Sequence, residues 1–234
     1  LVASAYDEAK CVDATIEMVV QICGKIKARM NVAADADKDA CIAAAKEAAA
    51  AELEGKTILT SCAGCYKTLK EDYKEYLGVD LKVIHISQLL EQLIKENRIN
   101  FKCDNNLKVT YHDSCHLGRH AGEYEAPRNV IQSISNLVEM ENNKEKARCC
   151  GSGGGVKSAY GELSNSIADL RIQEAKETGA DLLVSACPFC KLNLSQNSED
   201  LEILDLSEFV LEHLDSTDDN ELINISDSKE GEIQ

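Results

Sequence analysis

The stretch "DLLVSACPFCKLNL", Asp181 to Leu194, is a short apolar run that ends in Cys-x-x-Cys and then turns polar. An apolar run of this length, bounded by turn signals, reads as a buried strand, and the polar segment after it as a helix start. "TILTSCAGCYKTL", Thr57 to Leu69, has the same build. A second matching pair lies downstream: "KVIHISQLL" (Lys82 to Leu90) and "EILDLSEFV" (Glu202 to Val210). Each reads as a strand ending at Ser87 or Ser207, with Gln or Glu and an apolar run after the serine to open a helix. Upstream of each Cys-x-x-Cys a helical pattern is closed by a glycine: Lys38 to Leu53 before Gly55, and Leu163 to Glu177 before Gly179.

Strands alternating with helices of this length predict βαβ units and parallel sheets. The expected fold class is therefore α/β, built as two pseudo-symmetric halves joined near residues 96–106. Residues 1–100 form the first half and 101–214 the second. Residues 215–234 carry seven acidic side chains and one lysine without an apolar stripe, the composition of a solvated, disordered tail.

Composition narrows the function. The chain has 234 residues and a net charge of −16, which opposes nucleic-acid phosphates, and 4 % aromatics leave little for base stacking. No run approaches the roughly 20 apolar residues of a membrane span, and none reads as a secretory signal. A chain of this size buries a core without staples, so its 11 cysteines read as metal or redox ligands rather than disulfides. The expected location is the cytoplasm. The first residue is Leu1, which suggests part of a longer polypeptide.

In the second half the cysteines are Cys115, Cys149, Cys150, Cys187 and Cys190, separated by 33, none, 36 and two residues. Each is expected where a loop meets the carboxyl end of a strand, the place where open α/β sheets gather ligands. Three loops would thus bring five thiolates to one spot. "RCCGSGGG", Arg148 to Gly155, adds glycines that let backbone N–H groups approach, and such donors stabilise thiolate and sulfide charge. Five thiols exceed the four ligands of zinc or of a simple cubane.

This spacing, with "YHDSCHLGRHAGEYEAPR" (Tyr111 to Arg128) and "ARCCGSGGGVK" (Ala147 to Lys157), resembles the CCG cysteine-rich domain of heterodisulfide reductase catalytic subunits, especially the D-type branch. The same domain occurs in thiol:fumarate reductase and in iron–sulfur subunits of glycolate, lactate, glycerol-3-phosphate and succinate dehydrogenases. The resemblance extends to about residue 214. It implies one noncubane [4Fe–4S] cluster bound by Cys115, Cys149, Cys150, Cys187 and Cys190. Cys149 and Cys150 would open the cluster, and the other three would anchor it.

The implied activity is that of an iron–sulfur oxidoreductase subunit reducing or forming a disulfide. The implied partners are an electron-donating iron–sulfur or flavoprotein subunit and a small thiol or disulfide, either free in the cytoplasm or within a membrane-associated complex. A relay subunit serving a flavin dehydrogenase, and a zinc-bound interaction module, are the alternatives. His116 reads either as a proton donor to a departing thiolate or as a support of the Cys115 loop. His112 and His120 read as such supports. Arg119 and Lys157 would either neutralise an anionic site or stand as surface charges.

The first half departs from this pattern. From Met30 to Gly55 is 25 residues, against 40 from Glu139 to Gly179, and "AADADKD" replaces the missing paired-cysteine loop. That alignment takes Glu8 to Gln21 as a helix closed by Gly24 and "KIKARMNV" as a strand. Three readings of Cys62 and Cys65 stay open: packed relics, a second metal site with Cys11, Cys23 or Cys41, or a redox dithiol.

Overall fold

The computed structural model describes residues 15–22, 25–33, 37, 39–40 and 55–215. The amino-terminal part holds an antiparallel pair, β1 (Thr15–Ile22) and β2 (Lys25–Ala33), in a register that sets Thr15 against Ala33. The strand expected over "KIKARMNV" is found. The helix expected from Glu8 to Gln21 is not, because its described portion is β1. Five of the eight residues of TIEMVVQI are β-branched, which costs rotamer freedom in a helix and suits a pleated strand. The rest of that reading, Gly24, most of the alanine-rich helix, Cys11, Cys23, Cys41 and residues 216–234 lie outside the described residues.

The strand–cysteine–helix unit occurs twice, as expected. β3 (Thr57–Thr60) leads through Cys62 into α1 (Ala63–Lys67), which continues through a wider turn into α2 (Tyr73–Leu77). β4 (Lys82–His85) pairs with β3 and leads into α3 (Ile86–Lys95). In the second copy, β7 (Leu182–Ser185) leads through Cys187 into α7 (Pro188–Gln196), and β8 (Glu202–Asp205) leads into α8 (Leu206–His213). The helices after β4 and β8 begin earlier than the serines suggest. His85 and Asp205, the last strand residues, are the caps: each accepts from the backbone N–H two residues on, at 3.3 and 3.0 Å. Gln88 and Glu208 return the bond to the cap's own N–H, completing the reciprocal arrangement.

Two compact units result, and the first Cys-x-x-Cys does not go with the amino-terminal one. Leu59–Thr68 belongs with the chain from Val83 onward, while Leu69–Lys82 belongs with the chain up to Ile58. The larger unit is built on a parallel four-stranded sheet in the order β6-β5-β7-β8, where β5 is Asp104–His112 and β6 is Ser135–Leu137. Its strands end in register, His112 beside Ser185 and Ser185 beside Asp205. A row of buried polar side chains therefore lines the carboxyl edge of an otherwise apolar sheet.

Two buried arginines tie the helices to that edge. α4 (Glu125–Gln132) carries Arg128, which grips Asp113 with two hydrogen bonds of 2.7 and 2.8 Å, reaches Glu139 at 2.7 Å and lies over the Tyr111 ring. α6 (Gly161–Glu177), the helix expected before Gly179, buries Ser164, Ala168, Arg171, Ile172 and Ala175, one stripe at helical spacing. Removing one member of a buried ion pair strands the other in a medium of low dielectric, at about 3–5 kcal/mol. Asp113→Ala is expected to lower stability in urea unfolding by about 3 kcal/mol; a loss below about 1 kcal/mol would contradict this role for the pair.

Candidate metal centre

Three loops leave the carboxyl edge of the sheet, and each delivers cysteines. β5 runs through Asp113 and Ser114 to Cys115. The segment before α5 (Val156–Ala159) brings Cys149 and Cys150. β7 is followed by Ala186, so that Cys187 caps α7 and Cys190 sits in its first turn, with Pro188 at the first helical position. Cys150, Cys187 and Cys190 are buried, Cys115 and Cys149 half-buried, and all are free thiols.

The sulfurs form a continuous series. Cys149 lies within hydrogen-bonding reach of Cys115 and Cys150, Cys150 of Cys190, and Cys190 of Cys187. One ring nitrogen of His112 and the sulfurs of Cys150 and Cys190 all lie within 4.8 Å of one another. The five cysteines singled out in the sequence are therefore one group. The series continues into the first repeat, because Cys187 also meets Cys62, which meets Cys65. Cys62 and Cys65 thus have no separate ligand set among the described residues; they adjoin the first.

Thiols this close share charge by alternation. Cys149 is held well below the ordinary thiol range by hydrogen bonds from Cys115 and Cys150 and by the Gly151 N–H, 3.3 Å away. Cys187 is lowered likewise by Cys190 and Cys62. The donors move the other way: Cys150 is pushed up to about 11, chiefly by Cys149, and Cys115, Cys190 and Cys62 also rise. Ser114 adds a hydroxyl donor to Cys190 at 3.6 Å.

The sequence makes His112 a support of its loop, and the structure sets it beside the sulfurs of Cys150 and Cys190. Arg171, fully buried, donates from Nε to His112 Nδ1 at 3.1 Å. A guanidinium keeps its protons, so Nδ1 must be the acceptor and the hydrogen of the neutral ring sits on Nε2. Burial first, and Arg171 second, lower the His112 pKa to about 3 and keep the ring neutral. Ligation through Nε2 would then require an imidazolate, so His112 stands beside Cys150 and Cys190 as a neutral ring and not as a ligand.

His116 Nδ1 lies 3.6 Å from the Cys115 sulfur, and its ring stacks on His120 at 5.1 Å. Arg119 and Lys157 act as struts. Arg119 donates to the Ala147 carbonyl, and Lys157 to Asn193 and Gln196. Asn193, which no sequence pattern singles out, is fully buried and donates to the Cys150 carbonyl at 2.7 Å and to Ser164.

The glycine after the paired cysteines is fixed by both backbone and space. Gly151 has φ +86°, and a Cβ there would sit 2.5 Å from the Ser164 carbonyl oxygen. Gly153, two residues on, has open space around it. Gly151→Ala is expected to cost about 2–4 kcal/mol and Gly153→Ala under about 1 kcal/mol in urea unfolding; equal costs would contradict the assignment.

A donor set of crowded, mostly buried thiols suits a soft metal or an iron–sulfur cluster, whose binding deprotonates every thiol. Comparison with known proteins agrees with that chemistry. Residues 109–195, which include all five cysteines, match the CCG cysteine-rich domain. Over 167 residues, 68 % of this chain, it is 45 % identical to the D-type polypeptide of the dihydromethanophenazine:CoB–CoM heterodisulfide reductase of Methanosarcina barkeri. Over 166 residues it is 39 % identical to the B-type polypeptide of the CoM/CoB fumarate reductase of Methanothermobacter marburgensis. The chain spans 41 % of the length of the first relative and 32 % of the second. Among solved structures, Picrophilus torridus aspartate racemase overlaps with a TM-score of 0.36 at 11 % identity, covering 70 % of this chain and 65 % of that one, too slight to inform the fold.

Proposed function

We propose that this chain is an iron–sulfur oxidoreductase subunit of heterodisulfide reductase type, holding one noncubane [4Fe–4S] cluster and acting on a thiol–disulfide couple. The observation that carries the reading is the single group formed by Cys115, Cys149, Cys150, Cys187 and Cys190, with two adjacent cysteines at its middle. Such a cluster, when bound, supplies electrons one at a time and an iron site open to a substrate sulfur.

The residues around it have definite tasks. The Gly151 N–H donates to the Cys149 sulfur and holds its negative charge, while the neutral His112 ring lies beside Cys150 and Cys190. Asn193, Arg119 and Arg128 fix the two loops that carry Cys115 and the Cys149–Cys150 pair. Reducing a disulfide takes two electrons and two protons, and His116 is the group suited to move a proton. It is half-buried beside Cys115 and stacked on His120, which is exposed to solvent. The electrons come from a partner of iron–sulfur or flavin class, in keeping with relatives named as subunits. No helix among the described residues is long and apolar enough to cross a membrane.

Adding a small thiol such as 2-mercaptoethanesulfonate to the oxidised, anaerobic protein is expected to change its paramagnetic resonance signal. The change should disappear in Cys150→Ala. A signal indifferent to every thiol tried, with tight binding to a flavoprotein, would instead support a relay subunit.

A further inference from the structure

Cys62 and Cys65 are left without a task by the five-cysteine group. Cys62 caps α1 in an extended conformation, and its sulfur meets three partners: Cys187, the Cys65 N–H and the Cys65 sulfur. Cys62 is half-buried and Cys65 exposed. One sulfur of the pair is thus open to solvent, while the other touches a member of the buried thiol group.

The two Cys-x-x-Cys loops are also held close together. His85, fully buried, faces the backbone of Ser61 and Ala186, the residues immediately before Cys62 and Cys187. Its Nδ1 caps α3, and its Nε2 is buried without a hydrogen bond of ordinary geometry. Tyr66, in the turn after Cys65, packs edge-on against the same ring at 5.7 Å. The imidazole therefore wedges between the two cysteine loops.

This arrangement favours one of the readings that the sequence leaves open. A packed relic would be enclosed by apolar side chains, whereas Cys65 is exposed and Cys62 is among sulfurs. A second metal site needs about four ligands of its own. The thiols in reach of Cys62 among the described residues are Cys65 and Cys187, and Cys187 belongs to the first group.

We propose that Cys62 and Cys65 are an exchange dithiol that receives small disulfides at the Cys187 end of the thiol group. This rests on the thiol–disulfide reading above and adds to it a point of substrate entry. Cys65, being exposed, attacks one sulfur of RS–SR′, forming a mixed disulfide and releasing R′S⁻. Cys62 then attacks the Cys65 sulfur, releasing RS⁻ and closing the Cys62–Cys65 disulfide. The two protons lost by Cys62 and Cys65 neutralise the two released thiolates, so RS–SR′ and two cysteine thiols become one protein disulfide and two small thiols. Two electrons and two protons restore the dithiol, the electrons coming from a one-electron donor of iron–sulfur or viologen class.

The test is exchange with 5,5′-dithiobis(2-nitrobenzoate), one equivalent per chain, under anaerobic conditions with peptide mapping by mass spectrometry. A Cys103→Ser background removes the other exposed thiol among the described residues. The expected result is two thionitrobenzoates released per chain and a Cys62–Cys65 disulfide. Cys62→Ser should halve the release and leave the aryl thiol on Cys65. Cys65→Ser should slow the first release at least tenfold. Iron content measured on the same samples should be unchanged in both variants.

Loss of iron in Cys62→Ser would overturn the proposal by making Cys62 a ligand. So would a map showing the aryl thiol elsewhere and no Cys62–Cys65 disulfide. If the unsubstituted protein holds no iron but still closes that disulfide, the exchange proposal stands and the cluster reading fails.

Discussion

Thiolates in contact repel one another, and a buried group of them cannot carry full charge without a cation. That constraint organises the larger unit of this protein. Hydrogen bonds from Cys115 and Cys150 hold Cys149 low, and those from Cys190 and Cys62 hold Cys187 low. A metal that binds such a group takes the place of its protons. The rest of the sheet's carboxyl edge serves the same end. Arg171 keeps His112 neutral with its hydrogen on Nε2, and Gly151 admits an N–H where any side chain would collide with the Ser164 carbonyl.

The parts legible in the sequence are those with local signatures. The repeated strand–Cys-x-x-Cys–helix unit, the helix before Gly179 and the five-cysteine group follow from periodicity, spacing and a family resemblance. The helix starts at His85 and Asp205 fall two residues before the serines that mimic caps, since those serines lend their backbone N–H to the earlier residue. β1 is a strand where the alignment of two halves calls for a helix, and five β-branched residues in eight outweigh that symmetry. The partnerships that fix the site have no local signature. His112 meets Arg171 at a separation of 59 residues, and Cys150 meets Asn193 at 43. Only the folded sheet brings such pairs together.

The two repeats have diverged in a way that bears on chemistry. The matching caps His85 and Asp205 give the strand–helix units that follow each Cys-x-x-Cys the same build. The second copy uses its pair inside a five-thiol group, and the first leaves its pair half open to solvent beside that group. On the proposed function, this pair would give a reaction that parts two sulfurs a second sulfur station next to the five-thiol group.

The proposed binding of one iron–sulfur cluster by the five cysteines fixes the metal content of the chain. Iron, sulfide and zinc should be determined on anaerobically purified chain, with Mössbauer spectra on the same sample. About four iron and four sulfide per chain are expected, with no zinc, and both iron and sulfide should be lost in Cys150→Ala. Stoichiometric zinc bound by four sulfurs, with no sulfide, would contradict it.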